Sequence, residues 1–232
     1  MKLAVVTRSD ANIQQMVDLT HPGIKAYADK CGADFIVYDH EPPIRTNDNS
    51  VHYRILKAIE TFKEYDRILF IDTDVVISPR CPNIFEVVPV DCIGSVFEDK
   101  GKRKKKRLKL IRRIQECWGD VGWTEGYTNA GVLVASRQHA QVFEPHNGEY
   151  YLGWGSVDVH MSYMAHKHGM KIMELPFQWN HMSMFSDGWN DCADRFDSHI
   201  IHYAGMGRFE DKKVPKLELM RQDQKIMKER SV

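Results

Sequence analysis

The sequence predicts an α/β protein with a mostly parallel central sheet and helices on both of its faces. Three observations predict it. Short β-branched runs alternate with helical stretches along most of the chain, the signature of a doubly wound sheet. The apolar run "RILFI" ends in two aspartates, as a strand does when it delivers charge to a site beyond its carboxyl end. Finally, 232 residues suit one domain with a substantial core, so residues 1–232 are expected to form a single domain.

Taken in order, "KLAVVT" is a first strand that ends in Thr7, Arg8, Ser9 and Asp10. "GIKAYADKCG" reads as a helix stopped by Gly32, and "DFIVYD" as the second strand, which completes a strand–helix–strand unit. Pro42, Pro43 and the polar cluster in "HEPPIRTNDNS" then break regular structure. In "VHYRILKAIETFKEY", Tyr53, Leu56, Ile59 and Phe62 recur at helical spacing ahead of the strand "RILFI". "DCIGSVFED" and "NAGVLVAS" read as further strands, "WGSVDVHMSYMAHKHG" as a helix, and "GMKIMELP" and "SHIIHYAG" as late strands.

Composition narrows the function classes. With 32 basic residues against 32 acidic ones there is no net charge to favour general nucleic-acid binding, so any basic surface is local and no nucleic-acid partner is expected. The five cysteines are odd in number and form no C-x-x-C pair, which argues against a disulfide framework or a zinc knuckle. The N-terminal apolar run, Leu3–Val6, is too short for a signal-peptide core or a membrane span. A cytoplasmic protein, bacterial or virus-encoded, or else an excised catalytic domain, is the expectation.

In "RILFIDTDVVI", side chains two apart on a strand share a face, so Asp72 and Asp74 project into one space. Two carboxylates about 5 to 6 Å apart repel by roughly 3 kcal/mol at an effective dielectric near 20. A hard divalent cation, Mg²⁺ or Mn²⁺, would offset that and complete its shell with phosphates and water. A bare D-x-D is also compatible with a turn residue and a solvent-facing one. The context distinguishes this instance, with an apolar run before it, "VVI" after it, and Arg54 and Lys57 on one face of the preceding helix.

"YDRILFIDTDVVI" resembles the metal-binding D-x-D segment of GT-A-fold glycosyltransferases, a Rossmann-like fold. It is similar in particular to the retaining enzymes of glycosyltransferase family 8 and the related galactosyl/mannosyl transferases of family 34. Three further segments are similar to theirs and in the same order: "YTNAGVLVAS", "LPFQWN" and "HYAGMGR". The resemblance implies metal ligation by Asp72, Asp74 and His202. It implies donor contacts from Thr73, from Asn129, Ala130 and Gly131, and from Gly205, Gly207 and Arg208. Thr7, Arg8 and Asp10 are expected over the nucleotide base, and Arg54 or Lys57 near the donor. The physical roles agree: His202 offers an imidazole nitrogen that Mn²⁺ accepts more readily than Mg²⁺, the glycines allow backbone close to a pyrophosphate, and Arg208 brings a cation of bidentate geometry.

The chain departs from the family in two places. Arg208 stands where lysine is usual and "FE" follows it instead of Pro-Trp, and "SVDVH" offers Asp158 but no glutamine for the family's D-Q pair. Asp158 and Asn129 are the catalytic candidates beside the reacting carbon; Asp158 also fits an ordinary acidic residue at a helix N-terminus. The implied reaction moves a hexose from a nucleotide-diphosphate sugar, UDP-glucose or UDP-galactose ahead of GDP-mannose, to a hydroxyl acceptor on a glycan, lipid or protein, with retention of configuration.

Two other readings stay open from sequence. "FIDTDVVI" also fits the D-x-D of haloacid dehalogenase-like phosphohydrolases, with Asp72 as nucleophile, although a strand–helix–strand unit comes first and no G-D-x-x-x-D follows. A catalytically silent sugar-binding module would use the five tryptophans, Trp118, Trp123, Trp154, Trp179 and Trp189, for stacking. Separately, ten of the fourteen residues from Lys100 to Arg113 are Lys or Arg. This run reads either as a mobile, solvated insertion or as a short basic helix with Leu108, Leu110, Ile111 and Ile114 along one side. Such a helix would contact an anionic membrane or an acidic acceptor. Each basic residue near an anionic surface contributes on the order of 1 kcal/mol.

Overall fold

A computed structural model describes residues 1–39, 44, 50–209 and 214–230. Strand β1 (Leu3–Arg8) leads through a 3₁₀ turn, capped by Asp10, into helix α1 (Gln14–Lys30), and β2 (Asp34–Tyr38) returns parallel to β1. The next predicted helix is a long 3₁₀ segment, Ser50–Lys57, closed by one α-turn, α2 (Ala58–Thr61). The apolar spacing explains the difference: Tyr53, Leu56, Ile59 and Phe62 recur at steps of three, which matches the 3.0-residue repeat better than 3.6.

The remaining strands are β3 (Arg67–Ile71), β4 (Val75–Ile77), β5 (Cys92–Phe97), β6 (Thr128–Ser136), β7 (Lys171–Glu174), β8 (His181–Met182) and β9 (Ile200–His202). The remaining helices are α3 (Ile84–Val87), α4 (Lys104–Trp118), α5 (Ser156–Lys167) and α6 (Lys216–Glu229). The large sheet has the order β2-β1-β3-β6-β5-β7, and β6 alone runs against the other five. Alternate side chains enter opposite cores, as the pleat requires. Val5, Leu69, Ile71, Val132 and Val134 pack with α1 and α3, whereas Val6, Ile68, Phe70, Leu133 and Ala135 pack with α4 and α5. Burying each such branched aliphatic chain contributes about 1.5 to 3 kcal/mol.

A small sheet, β4-β9-β8, carries α6 on its outer side through Leu219, Met220 and Met227, which pack against Val76, Ile201 and Tyr203. The chain leaves the large sheet after Ile71 and enters the small one at Val75, so Asp72, Thr73 and Asp74 are the crossing between them. Three contacts pin that crossing. Asp72 N–H donates to the Gly131 carbonyl (2.8 Å), Tyr203 N–H donates to the Asp74 carbonyl (2.9 Å), and the Thr73 hydroxyl donates to the Arg8 carbonyl.

The basic segment belongs to this fold. Lys104–Trp118 is a regular helix whose Leu110, Ile111 and Ile114 are core residues, and even Arg107 is buried. The sequence expectation of a mobile insertion is thereby corrected, as is the assignment of those apolar residues to a membrane-facing side: the stripe that would have met lipid faces the sheet. Lys104, Lys105 and Lys106 remain exposed. Among the described residues no helix is long and apolar enough to cross a membrane.

Candidate active site

Asp72, Asp74 and His202 converge where the two sheets meet, with ligand atoms all within 4.8 Å of one another. Nε2 of His202 lies 3.5 Å from a carboxylate oxygen of Asp72 and 3.4 Å from one of Asp74. His202 closes β9 and pairs in register with Val75 and with Met182, so the small sheet aims its imidazole at the crossing.

A buried chain of hydrogen bonds fixes which imidazole nitrogen carries the proton. The Gly131 N–H can only donate, and it donates to Oδ1 of Asn129 (2.9 Å), which fixes that amide's orientation. Nδ2 of Asn180 therefore donates to the same oxygen (2.8 Å), and Oδ1 of Asn180 accepts from Nδ1–H of His202 (2.8 Å). From the other end, Nδ2 of Asn129 donates to the Glu98 carboxylate, which Arg107 holds in turn. The proton sits on Nδ1, and the Nε2 lone pair faces the two aspartates, the arrangement a metal-ligating histidine needs. Two carboxylates and a neutral imidazole within this reach fit a divalent cation.

Two side-chain cations also contact the aspartates: Arg8 reaches Asp72 (2.9 Å), and Lys216 reaches Asp74 (2.7 Å) and the Gly205 carbonyl (3.2 Å). Burial opposes ionisation of Asp74, but His202 and then Lys216 outweigh it and hold its carboxyl well below the usual range. Burial likewise opposes the imidazolium of His202, and Asp74 followed by Asp72 overcomes it, raising that pKa. A metal held here would compete with the proton for this nitrogen, so its binding would weaken as pH falls.

The cluster opens into a cavity of about 440 Å³. Asp158, in the first turn of α5, lines it and accepts from the Ala130 N–H (2.8 Å). The hydroxyl of Tyr127, also on the wall, is buried with no hydrogen-bond partner among the described residues. Trp154 stands exposed at the rim with Lys106 and Arg107 against its ring.

Burial first, then the charge of Glu98, push the Asp158 carboxyl up to about 7, against the pull of the Ala130 N–H and of Arg107. Folded Asp158 thus titrates above its ordinary value of 3.8. It favours the fold most below about pH 4 and loses that contribution as pH rises through about 7. The Tm of Asp158→Asn relative to wild type is expected to become more positive between about pH 5 and about pH 8. A difference that stays constant over that range would show an ordinary, solvated carboxylate.

Of the residues singled out in the sequence, Arg8, Asp72, Asp74, Asn129, Ala130, Gly131, Trp154, Asp158, His202 and Gly205 line this one cavity. The others lie outside it. Thr7 is buried beneath the crossing, 3.5 Å from the Thr73 hydroxyl. Asp10 caps its turn and lies 3.6 Å from Arg54, which in turn holds the Ser9 carbonyl. Lys57 is half-buried away from the cavity. Gly207 packs on the Lys216 stem, where an added Cβ would come within 2.8 Å. Arg208 is exposed and lines a neighbouring cavity. Asn129 has little left to offer a sugar: both lone pairs of Oδ1 and one hydrogen of Nδ2 are already engaged.

Sequence reasoning missed Lys216, Glu98, Asn180, Arg103, Arg107 and His52. Asn180 was present in "LPFQWN", and Glu98 ends the apolar run "CIGSVF" as Asp72 ends "RILFI"; both could have been found by the same logic. Lys216 reaches Asp74 across 142 positions of sequence and carried no local signal.

No protein-family model and no curated protein matches the sequence; the similarity lies in the fold. The structure resembles WbbM, a bifunctional glycosyltransferase, with a TM-score of 0.63 and 15% identity over 99% of this chain and 51% of that one. It resembles a glycosyltransferase involved in the glycosylation of the major capsid of PBCV-1, with a TM-score of 0.58 and 13% identity over 99% and 100% of the two chains. It also resembles the galactosyltransferase LgtC in complex with donor and acceptor sugar analogs, with a TM-score of 0.60 and 14% identity over 96% and 95%. The chain thus spans about half of WbbM and nearly all of the other two. Its fold is the GT-A fold.

Proposed function

We propose that this GT-A chain is a metal-dependent glycosyltransferase that moves a hexose from a nucleotide-diphosphate sugar, a UDP-sugar in the first instance, to a hydroxyl acceptor. One observation carries the reading: the convergence of Asp72, Asp74 and the Nε2 lone pair of His202 at the mouth of a cavity beyond the carboxyl ends of β1 and β3. Ligands bind open α/β sheets at that location.

Asp72, Asp74 and His202 would hold the cation, Mn²⁺ or Mg²⁺, whose positive charge when bound offsets the charge that develops on a diphosphate leaving group. Lys216 and Arg8 are cations already at the aspartates, where either could turn from a carboxylate to a phosphate oxygen. Asp158 presents a carboxyl to the same space, anchored on the Ala130 N–H, and is the candidate for the group beside the reacting carbon. The relay through Asn129 and Asn180 keeps the imidazole in one tautomer, which makes them positioning residues.

The GT-A fold leaves the haloacid dehalogenase-like phosphohydrolase reading without support. A silent sugar-nucleotide module keeps the fold and is separated by turnover. The test is thermal shift and UDP release with UDP-glucose, UDP-galactose and GDP-mannose, with Mn²⁺ or with EDTA. A nucleotide sugar at a hundred times its Kd stabilises by about 2.7 kcal/mol, and the shift is expected only with metal present. Indifference to EDTA overturns the metal reading, and binding without release of UDP supports the silent module.

Retention of configuration, implied by the similarity of "YTNAGVLVAS" and "HYAGMGR" to retaining families, is checked by NMR of the first-formed product. An inverted anomeric centre would remove that inference.

A further inference from the structure

Beside the donor cavity lies a second one of about 330 Å³, and Arg103 lines both. Its wall carries four cations, Lys100, Lys102, Arg103 and Arg208, against one acid, Asp187, and the Trp189 indole lines it as well. Two of the cations are already engaged, Lys100 with Glu174 (2.8 Å) and Arg103 with Glu98 (3.3 Å). Lys102 and Arg208 have no carboxylate within ion-pair distance among the described residues. In a chain whose formal charges sum to zero, two cations on one cavity wall with no carboxylate partner among the described residues are a local feature with a local use.

The aromatic wall is held in place from the backbone. Gly101 adopts φ +47°, and a Cβ there would stand 2.4 Å from the Trp189 ring, so only glycine lets the turn that bears Lys100, Lys102 and Arg103 come this close to the indole. Trp189 leaves 38% of its surface exposed, and its ring leans on Phe185 at a centroid distance of 5.9 Å. An immobilised, half-open indole beside a guanidinium and an ammonium group combines an apolar plane for a sugar ring with donors for an anion; Arg adds a fork that matches phosphate or carboxylate.

We infer that this second cavity is the acceptor subsite, and that the acceptor is a saccharide bearing an anionic group, a phosphate or a carboxylate. The assignment as an acceptor site rests on the glycosyltransferase reading; the anion specificity does not. Arg103 is the shared wall, so a saccharide held here has its far end directed at the cavity that contains Asp158 and the aspartate cluster. The same placement gives the basic segment a use: its first turn supplies the anion site while its helix, α4, is locked into the core.

The test follows the indole N–H resonance of Trp189, assigned with Trp189→Phe, during titration with glucose 6-phosphate, glucuronic acid, glucose and inorganic phosphate. An anionic sugar is expected to shift that resonance and to bind at least about tenfold tighter than glucose, an effect that weakens with salt. Lys102→Gln and Arg208→Gln are each expected to weaken it severalfold, while Lys102→Gln leaves Mn²⁺-dependent UDP binding unchanged. Glucose binding as tightly as glucose 6-phosphate, no shift with any of the four, or wild-type affinity in both variants overturns the inference. Inorganic phosphate alone matching the sugar phosphate overturns the saccharide part. Loss of UDP binding with the anionic-sugar response intact overturns the donor reading and leaves the anion site standing.

Discussion

Asp74→Asn is expected to lower transfer by about 10³-fold and to abolish Mn²⁺-dependent UDP binding while the fold stays intact. The substitution keeps the shape of the side chain and removes its charge. Asp74 touches His202 through one oxygen (3.4 Å) and Lys216 through the other (2.7 Å), so a neutral amide loses both the anionic ligand atom and the ion pair. Its backbone contribution is unaffected, because the bond from Tyr203 N–H reaches the Asp74 carbonyl rather than the side chain. Circular dichroism therefore stays wild-type while calorimetric titration of UDP in Mn²⁺ goes flat. Normal turnover by this variant would show that the aspartates hold no metal.

Gly131→Ala carries the second large effect, and its cause is space. A Cβ at this position of β6 would lie 2.3 Å from Cε1 and 2.9 Å from Nδ1 of His202, and 2.8 Å from Oδ1 of Asn129. Neither neighbour is a loose chain end: His202 is 3% exposed, and the relay through Asn180 and Asn129 fixes both. Overpacking of this kind costs about 1 to 3 kcal/mol. Because the ring must swing away from the aspartates to relieve it, Mn²⁺ affinity is expected to fall by more than tenfold as Tm drops. Adding His202→Ala removes the nearest clash but not the one with Asn129, so the double variant should be less destabilised than the sum of the two single changes while metal binding stays lost, a non-additive pair in a double-mutant cycle. Wild-type metal affinity in Gly131→Ala would remove His202 from the ligand set.

The aspartates were legible because they end an apolar run that periodicity identifies as a strand, whereas His202 and the "NAG" glycine were legible only through the resemblance of "HYAGMGR" and "YTNAGVLVAS" to known glycosyltransferase segments. The direction of most strands and the presence of helices on both faces were legible from periodicity too. Placement of the cations was not. Arg208 carried the expected chemistry yet lies on the neighbouring cavity, while Lys216, read from sequence as nothing in particular, contacts Asp74. The basic run shows the same division. Its composition spoke for solvent or membrane, but Leu110, Ile111 and Ile114 share one side of α4, and the sheet was there to receive them.

What the sequence by itself determined is local: which runs become strands, and which charged or glycine residues end them, because side-chain alternation and turn chemistry act between near neighbours. What only the tertiary structure decided is the company each charge keeps. That depends on how two sheets meet at Asp72–Asp74, where α6 brings in Lys216, and which amide faces His202; such contacts join residues far apart in the chain, whose proximity is set by packing of the whole core.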